Sequence, residues 1–208
     1  MARYTGAVCR ICRRYGEKLF LKGEKCVTRC VLERRPSPPG GGAARRRRKV
    51  SDRGLQLREK QKARFTYGLM EKQFRRLYQE AVRQPGVTGE NLVRNLEMRL
   101  DNVVYRMGFA ESRAAARQTV RHGHIMLNGR KTDIPSARVK VGDVIAWTPS
   151  GQKTELFAYA KEAIKNKHIP RWLEVDQATL TGRVVAQPTL ADADARFDPA
   201  VVVEYYSR

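Results

Sequence analysis

The chain has 208 residues, 41% of them hydrophobic, with 42 Lys and Arg against 21 Asp and Glu, a formal net charge of +21. That length suffices for one domain or two modest ones, each with its own core, while the charge exceeds anything solubility requires and points to a polyanionic partner. No apolar run nears the ~18 residues of a membrane span, and Met1-Ala2-Arg3-Tyr4 opens no signal-peptide pattern, so nucleic acid is favoured over a membrane and a cytoplasmic protein is expected.

The charge is graded. Residues 1–50 carry 15 basic and 3 acidic side chains, a net +12, and the balance falls to zero over 151–208, with 8 of each. The polyanion therefore belongs to the first three-quarters of the chain.

Residues 1–35 hold all four cysteines, spaced Cys9-x2-Cys12-x13-Cys26-x3-Cys30. Two close pairs joined by a short loop are the pattern in which four thiolates surround one tetrahedral metal. The neighbouring Arg10, Arg13, Arg14, Lys25 and Arg29 favour the thiolate form. Zinc leads, an iron–sulfur cluster uses the same donors, and free thiols or disulfides are the plainer alternatives. Four protein ligands leave no open position, so the expected site is structural, stapling a segment too poor in apolar residues to fold alone.

Pro36 to Gly42 is a run of breakers leading into Arg45, Arg46, Arg47, Arg48 and Lys49, which reads as a flexible basic arm. Ser51 caps a charged helix carrying Arg58, Lys60 and Lys62, with Gly68 as its stop. Met70, Phe74, Leu77, Tyr78, Ala81 and Val82 predict a second helix before Pro85-Gly86. Thr88 opens a third, whose stripe runs Leu92, Leu96, Leu100, Val103, Met107.

The fourth helix is capped by Ser112 and closed by Gly123. It sets Arg113, Arg117 and Arg121 at i, i+4 and i+8, steps of roughly 6 Å that suit successive phosphates. Arg106 precedes the stripe, and His122, His124, Arg130 and Lys131 cluster beyond it. The only sequence-near acids are Glu111 before it and Asp133 after it, which argues against an ordinary solvated charged face. The histidines read as RNA contacts or surface residues, since no catalytic motif accompanies them. Asn128-Gly129 is a hairpin turn between Ile125-Met126-Leu127 and Arg130-Lys131. Val139 and Val141, then Val144 to Trp147, are expected to add a strand pair. A last helix is expected over Leu156 to Ile164, and strands over Trp172–Val175, Val184-Val185 and Val201–Tyr206.

The expected fold is α+β: a mostly helical N-terminal domain with a four-cysteine metal knuckle, plus a compact module of two helices, a β-hairpin and further antiparallel strands. The expected divisions are 1–35 (metal segment), 36–50 (arm), 51–95 (helical domain), 96–150 (RNA-binding module) and 151–208 (helix, strands and tail).

Leu96 to Phe109, Ser112-Arg113 to Ala116-Arg117-Gln118, His122-Gly123-His124-Ile125 and Asn128-Gly129-Arg130 resemble the RNA-binding module named after the fourth small-subunit ribosomal protein. Ala2-Arg3-Tyr4, Leu57 to Lys62, Gln73-Phe74-Arg75, Val87 to Leu92, Trp172 to Asp176 and Glu204 to Arg208 extend the resemblance to the bacterial form of that ribosomal protein family over nearly the whole chain. The resemblance implies a structural, non-enzymatic protein of the small subunit that binds the 5′ domain of 16S rRNA early in assembly and nucleates the subunit body. It implies contact with neighbouring ribosomal proteins at an interface that influences decoding accuracy, a position near messenger RNA where it enters the subunit, and a C-terminal tail returning to the helical part. The four cysteines match the family's zinc-binding form. Two departures stand out. Gly41-Gly42-Ala43 replaces a Gln-His-Gly common in the family, and Arg53 stands where an aromatic is usual. The competing readings are an RNA-modifying or tRNA-ligating enzyme fragment bearing the same module, and a metal-sensing regulator. The first lacks room for a catalytic domain; the second requires nucleic-acid affinity that responds reversibly to zinc.

Overall fold

The computed structural model describes residues 3–40, 50–193 and 196–207. The chain forms two compact units, residues 1–92 with 195–208, and residues 93–194.

The first unit begins with three short helices, α1 (Cys9–Tyr15), α2 (Lys25–Thr28) and α3 (Val31–Arg34). Ile11, Cys12, Tyr15 and Leu19 bury together, with Phe65 against them. Ser51 caps α4 (Asp52–Thr66), its Oγ accepting the Gly54 N–H at 3.3 Å. In α5 (Glu71–Arg83) the buried Phe74, Leu77 and Ala81 fall at i, i+3 and i+7, the stripe the sequence predicts. Asn91, on α6 (Thr88–Glu97), donates its side-chain amide to the carbonyls of Ala81, Gln84 and Pro85, holding the turn that separates the two helices.

The third expected helix is in fact two. Arg99 is extended (φ −77°, ψ 138°) and pairs in an isolated bridge with Arg138, so the helix breaks and restarts as α7 (Leu100–Arg106). The N–H groups of Leu100 and Asp101, unpaired within any helix start, donate to the carbonyls of Ala137 and Pro135 at 2.9 and 3.0 Å. A distant loop therefore supplies the cap that the local sequence lacks.

Ser112 caps α8 (Arg113–Arg121) by accepting the Ala115 N–H at 3.2 Å. The hairpin follows as expected: β1 (Ile125–Leu127) pairs with β2 (Arg130–Lys131) across Asn128-Gly129, both at positive φ (51° and 75°), the two-residue turn that matches strand twist. Only β3 (Val144–Trp147) forms from the next expected strand pair; Val139 instead buries and donates its N–H to the Met98 carbonyl.

A short α9 (Pro149–Gln152) and then α10 (Glu155–Ala163) lead to β4 (Leu173–Asp176) and β5 (Thr181–Val184). The five strands form one antiparallel sheet in the order β2-β1-β3-β5-β4. The unit reaches residue 194 because β3 takes β5 as its second neighbour, extending the sheet beyond the expected module. Its core joins Leu100 and Val103 of α7, with Met107 just beyond that helix, to Val120 of α8 and to Ile145 and Trp147 of β3. Gly182 leaves room for Met107: a Cβ there would meet its Sδ at 2.5 Å.

The expected strand over Val201–Tyr206 is a helix, α11 (Pro199–Tyr206), in the first unit. Asp198 accepts the Ala200 N–H at 2.8 Å and Pro199 presets the first turn, an N-terminal signature that outweighs the β preference of three consecutive valines. The helix lies on α4, and Tyr206 stacks on Tyr78 at 4.6 Å between ring centroids. Among the described residues no helix is long and apolar enough to cross a membrane.

Candidate nucleic-acid interface

The arginine stripe of α8 changes character along its length. Arg113 is half-buried, lies over the Tyr105 ring at 4.6 Å and donates from Nε to Asn102 Oδ1 at 2.7 Å. Arg117 is only 7% exposed and donates to Asp101 Oδ2 at 3.1 Å. Asp101 also receives Arg99 in a bidentate pair at 3.0 and 2.8 Å, so one buried carboxylate holds two guanidiniums. Arg121 is the outward member, its side chain 55% exposed, in a surface pair with Asp133 at 2.9 Å. Where the sequence leads one to expect three parallel phosphate contacts, Arg117 is buried in an ion pair in the protein alone. Its counterion comes from α7, across the helix pair, where sequence proximity to α8 does not reveal it.

Arg106 is likewise turned inward. It makes a bidentate pair with the fully buried Glu97 at 2.9 and 2.8 Å, and Asn102 donates to the same carboxylate at 2.7 Å. Charged pairs of this kind fix geometry, because losing one partner strands a desolvated charge.

What remains outward lies at the end of α8 and on the hairpin. His122, Arg130 and Lys131 are exposed, and the half-buried His124 has its ring 6.0 Å from that of His122. Gly123 ends the helix at φ 72°, and the Lys131 stem crosses so near it that a Cβ there would overlap Lys131 Cε. The glycine thus serves both the left-handed backbone and the passage of a lysine. Together with Arg121, these side chains present a positive surface on rigid elements, suited to phosphate contacts.

In the first unit, Lys60 and Lys62 do not face outward. Lys60, 3% exposed, pairs with Glu71 at 2.8 Å and lies 5.0 Å from the Tyr205 ring centroid. Lys62, 6% exposed, pairs with Glu59 at 2.8 Å and Glu17 at 3.1 Å. Burial opposes its charge, but hydrogen bonds to Glu59 and Glu17 outweigh that and raise its pKa. Both lysines, expected from the sequence to contact RNA, fasten α4 to its neighbours through ion pairs in the protein alone. Arg58 is half-buried, its guanidinium donating to the Tyr15 carbonyl. Arg45 to Lys49 lie outside the described residues.

The four cysteines line one small cavity of about 20 Å³, together with Lys22, Lys25 and Arg29. The Lys22 N–H donates to Cys26 Sγ at 3.3 Å. Burial pushes the Cys12 thiol up; a hydrogen bond from the Leu19 backbone works against that, and the Cys26, Cys9 and Cys30 sulfurs add to the rise. Convergence, the donor set and backbone N–H groups aimed at sulfur all suit a tetrahedral metal. Among the described residues, however, no group of three or more His, Cys, Asp or Glu stands in metal-holding geometry. The thiols share a cavity without being drawn into a ligand cage.

Three residues that organise this surface escape a sequence reading: Glu97, Arg99 and Asp101. Their signal is the alternation of sign at 97, 99, 101 and 106, which marks mutual pairing better than it marks a ligand site.

Residues 3–97 match the ribosomal protein S4/S9 N-terminal domain family, and residues 98–145 match the S4 domain family. The chain is 57% identical to small ribosomal subunit protein uS4 of Dehalococcoides mccartyi over the full length of both. It is 54% identical to the uS4 of Heliobacterium modesticaldum and 53% identical to that of Acetivibrio thermocellus, again with both chains fully covered.

Proposed function

The chain belongs to the uS4 family of small ribosomal subunit proteins, and from that premise we propose that it is a non-catalytic, rRNA-binding constituent of the small subunit. Within that role it binds the 5′ domain of 16S rRNA, nucleates the subunit body during assembly, and contributes to decoding accuracy beside neighbouring ribosomal proteins where messenger RNA enters. The observation that carries the RNA reading is the exposed cluster of Arg121, His122, Arg130 and Lys131 on the module that matches the S4 domain. Lysine and arginine on rigid elements hold phosphates and set register, and they need no moving part. The +12 balance of the first 50 residues adds a second basic region, to which Arg45 to Lys49 belong.

Cys9, Cys12, Cys26 and Cys30 would hold one zinc ion. With four thiolates and no open position the ion supplies cross-linking of α1 to the segment around α2 and α3, not reactivity. The shared cavity and the N–H donated to Cys26 support this.

The test is binding to a transcript of the 16S rRNA 5′ domain at moderately high salt against excess bulk tRNA. Selective retention is expected; displacement by the tRNA would reduce the protein to a non-specific polycation.

A further inference from the structure

A cleft in the first unit is not accounted for by the contacts above. It lies between α1 and α4, is open to solvent with a volume of about 420 Å³, and joins a second hollow of about 180 Å³ through Arg14, Tyr15 and Phe65. The α4 wall is one face of the helix: Arg58, Gln61, Arg64 and Phe65 fall at i, i+3, i+6 and i+7. Among the described residues, no acidic side chain lines either space.

Its groups are arranged for a planar anionic guest. Arg58 is held in place by its bond to the Tyr15 carbonyl, 5.6 Å from that ring's centroid. Arg64 lies over Phe65 at 4.3 Å, and its buried Nε has no hydrogen-bond partner; the nearest carboxylate, Glu71, stands 3.9 Å away. Gln61 Oε1 is also buried without a partner. Both atoms lie buried behind the cleft wall, with Arg64 in an ion pair with Glu71.

We propose that this cleft receives a single unpaired nucleotide of the bound RNA, its base against Tyr15 and Phe65 and its phosphate on Arg14, Arg58 and Arg64. The inference rests on the rRNA-binding reading and adds to it a site that reads a base. Aromatic faces accept any base, and the arginines neutralise the backbone. An acidic peptide would use the arginines but leave the aromatic wall without a stacking partner.

The experiment uses the full chain and the 5′-domain transcript. Ultraviolet irradiation of the complex is expected to cross-link one nucleotide to the peptide carrying Tyr15 or Phe65, and Phe65→Leu is expected to weaken the Phe65 adduct. Leu57→Trp, at the exposed edge of the same helix face, is expected to lower affinity about tenfold, the size of one lost base stack, and to flatten the salt dependence, because the phosphate on Arg14, Arg58 and Arg64 leaves with the base. Unchanged thermal unfolding of both variants separates these effects from misfolding. If the wild type binds the transcript, but the adducts map elsewhere and Leu57→Trp binds equally well, the cleft proposal is overturned while the rRNA reading stands. If the wild type itself fails to bind, both fall.

Discussion

Arg113, Arg117 and Arg121 share one helix face, yet their surroundings predict three different outcomes when each is replaced by Gln. If all three held phosphates, the triple variant would lower the slope of log K against log salt by up to about 2.7, at about 0.9 per contact. The structure predicts less. Arg117 is buried against Asp101, so Arg117→Gln should leave the slope unchanged. It should instead cost about 1.5–3 kcal/mol of stability, the range for a hydrogen bond to a charged group, because Asp101 keeps its bidentate pair with Arg99. Arg121→Gln should do the reverse. Its pair with Asp133 is exposed on both sides and is worth about 0–1 kcal/mol, while the slope should fall by about 0.9. Arg113, half-buried on Tyr105, should lie between them. The assay is filter binding to the 5′-domain transcript from about 50 to 200 mM salt, where phosphate contacts dominate affinity, with urea midpoints measured on the same samples. A slope loss of about 0.9 for Arg117→Gln, without a loss of stability, would refute the buried-pair argument.

Asp101→Asn keeps the side chain's shape but leaves Arg99 and Arg117 buried without their carboxylate. Urea unfolding should record a loss of about 3–5 kcal/mol, and a value under about 1 kcal/mol would mean that water reaches the pair. Lys167 donates to the carbonyls of Tyr105 and Ala110 at 3.0 and 3.1 Å, and burial, with Arg113 and Arg106 nearby, lowers its pKa from 10.5 to about 8. The unfolded chain holds this proton to higher pH than the folded one, so the group adds stability as pH rises from about 8 towards 10.5. Comparing urea midpoints of the wild type and Lys167→Met across that interval should show the rise only in the wild type; parallel curves would contradict it. Cys9→Ser with Cys12→Ser should remove one zinc per chain and speed amide exchange in residues 9–35, leaving exchange in 93–194 unchanged. Full metal content in the double variant would place the ion elsewhere.

Much of the fold was legible because its signals are local. Ser51 and Ser112 cap the helices that follow them, and Asn128-Gly129 closes the hairpin expected of it, since a hydroxyl acceptor or a positive φ acts within three residues. The misreadings lie where a distant segment decides. The helix break at Arg99 depends on residues 135–139; the helix at Pro199–Tyr206 is an exception, since its local cap at Asp198-Pro199 outweighs the β preference of three consecutive valines.

The same distinction governs the candidate site. A net charge of +21 points to a polyanionic partner without saying which cations meet it. Lys60, Lys62, Arg106 and Arg117 are held by Glu71, by Glu59 and Glu17, by Glu97 and by Asp101, and most of those acids stand nine or more positions away in the chain. Helical spacing places a side chain on a face but does not say whether that face meets solvent or another helix. In α8 it meets both, with Arg117 turned to α7 and Arg121 to solvent, so a regular stripe in the sequence becomes one structural arginine and one available to RNA.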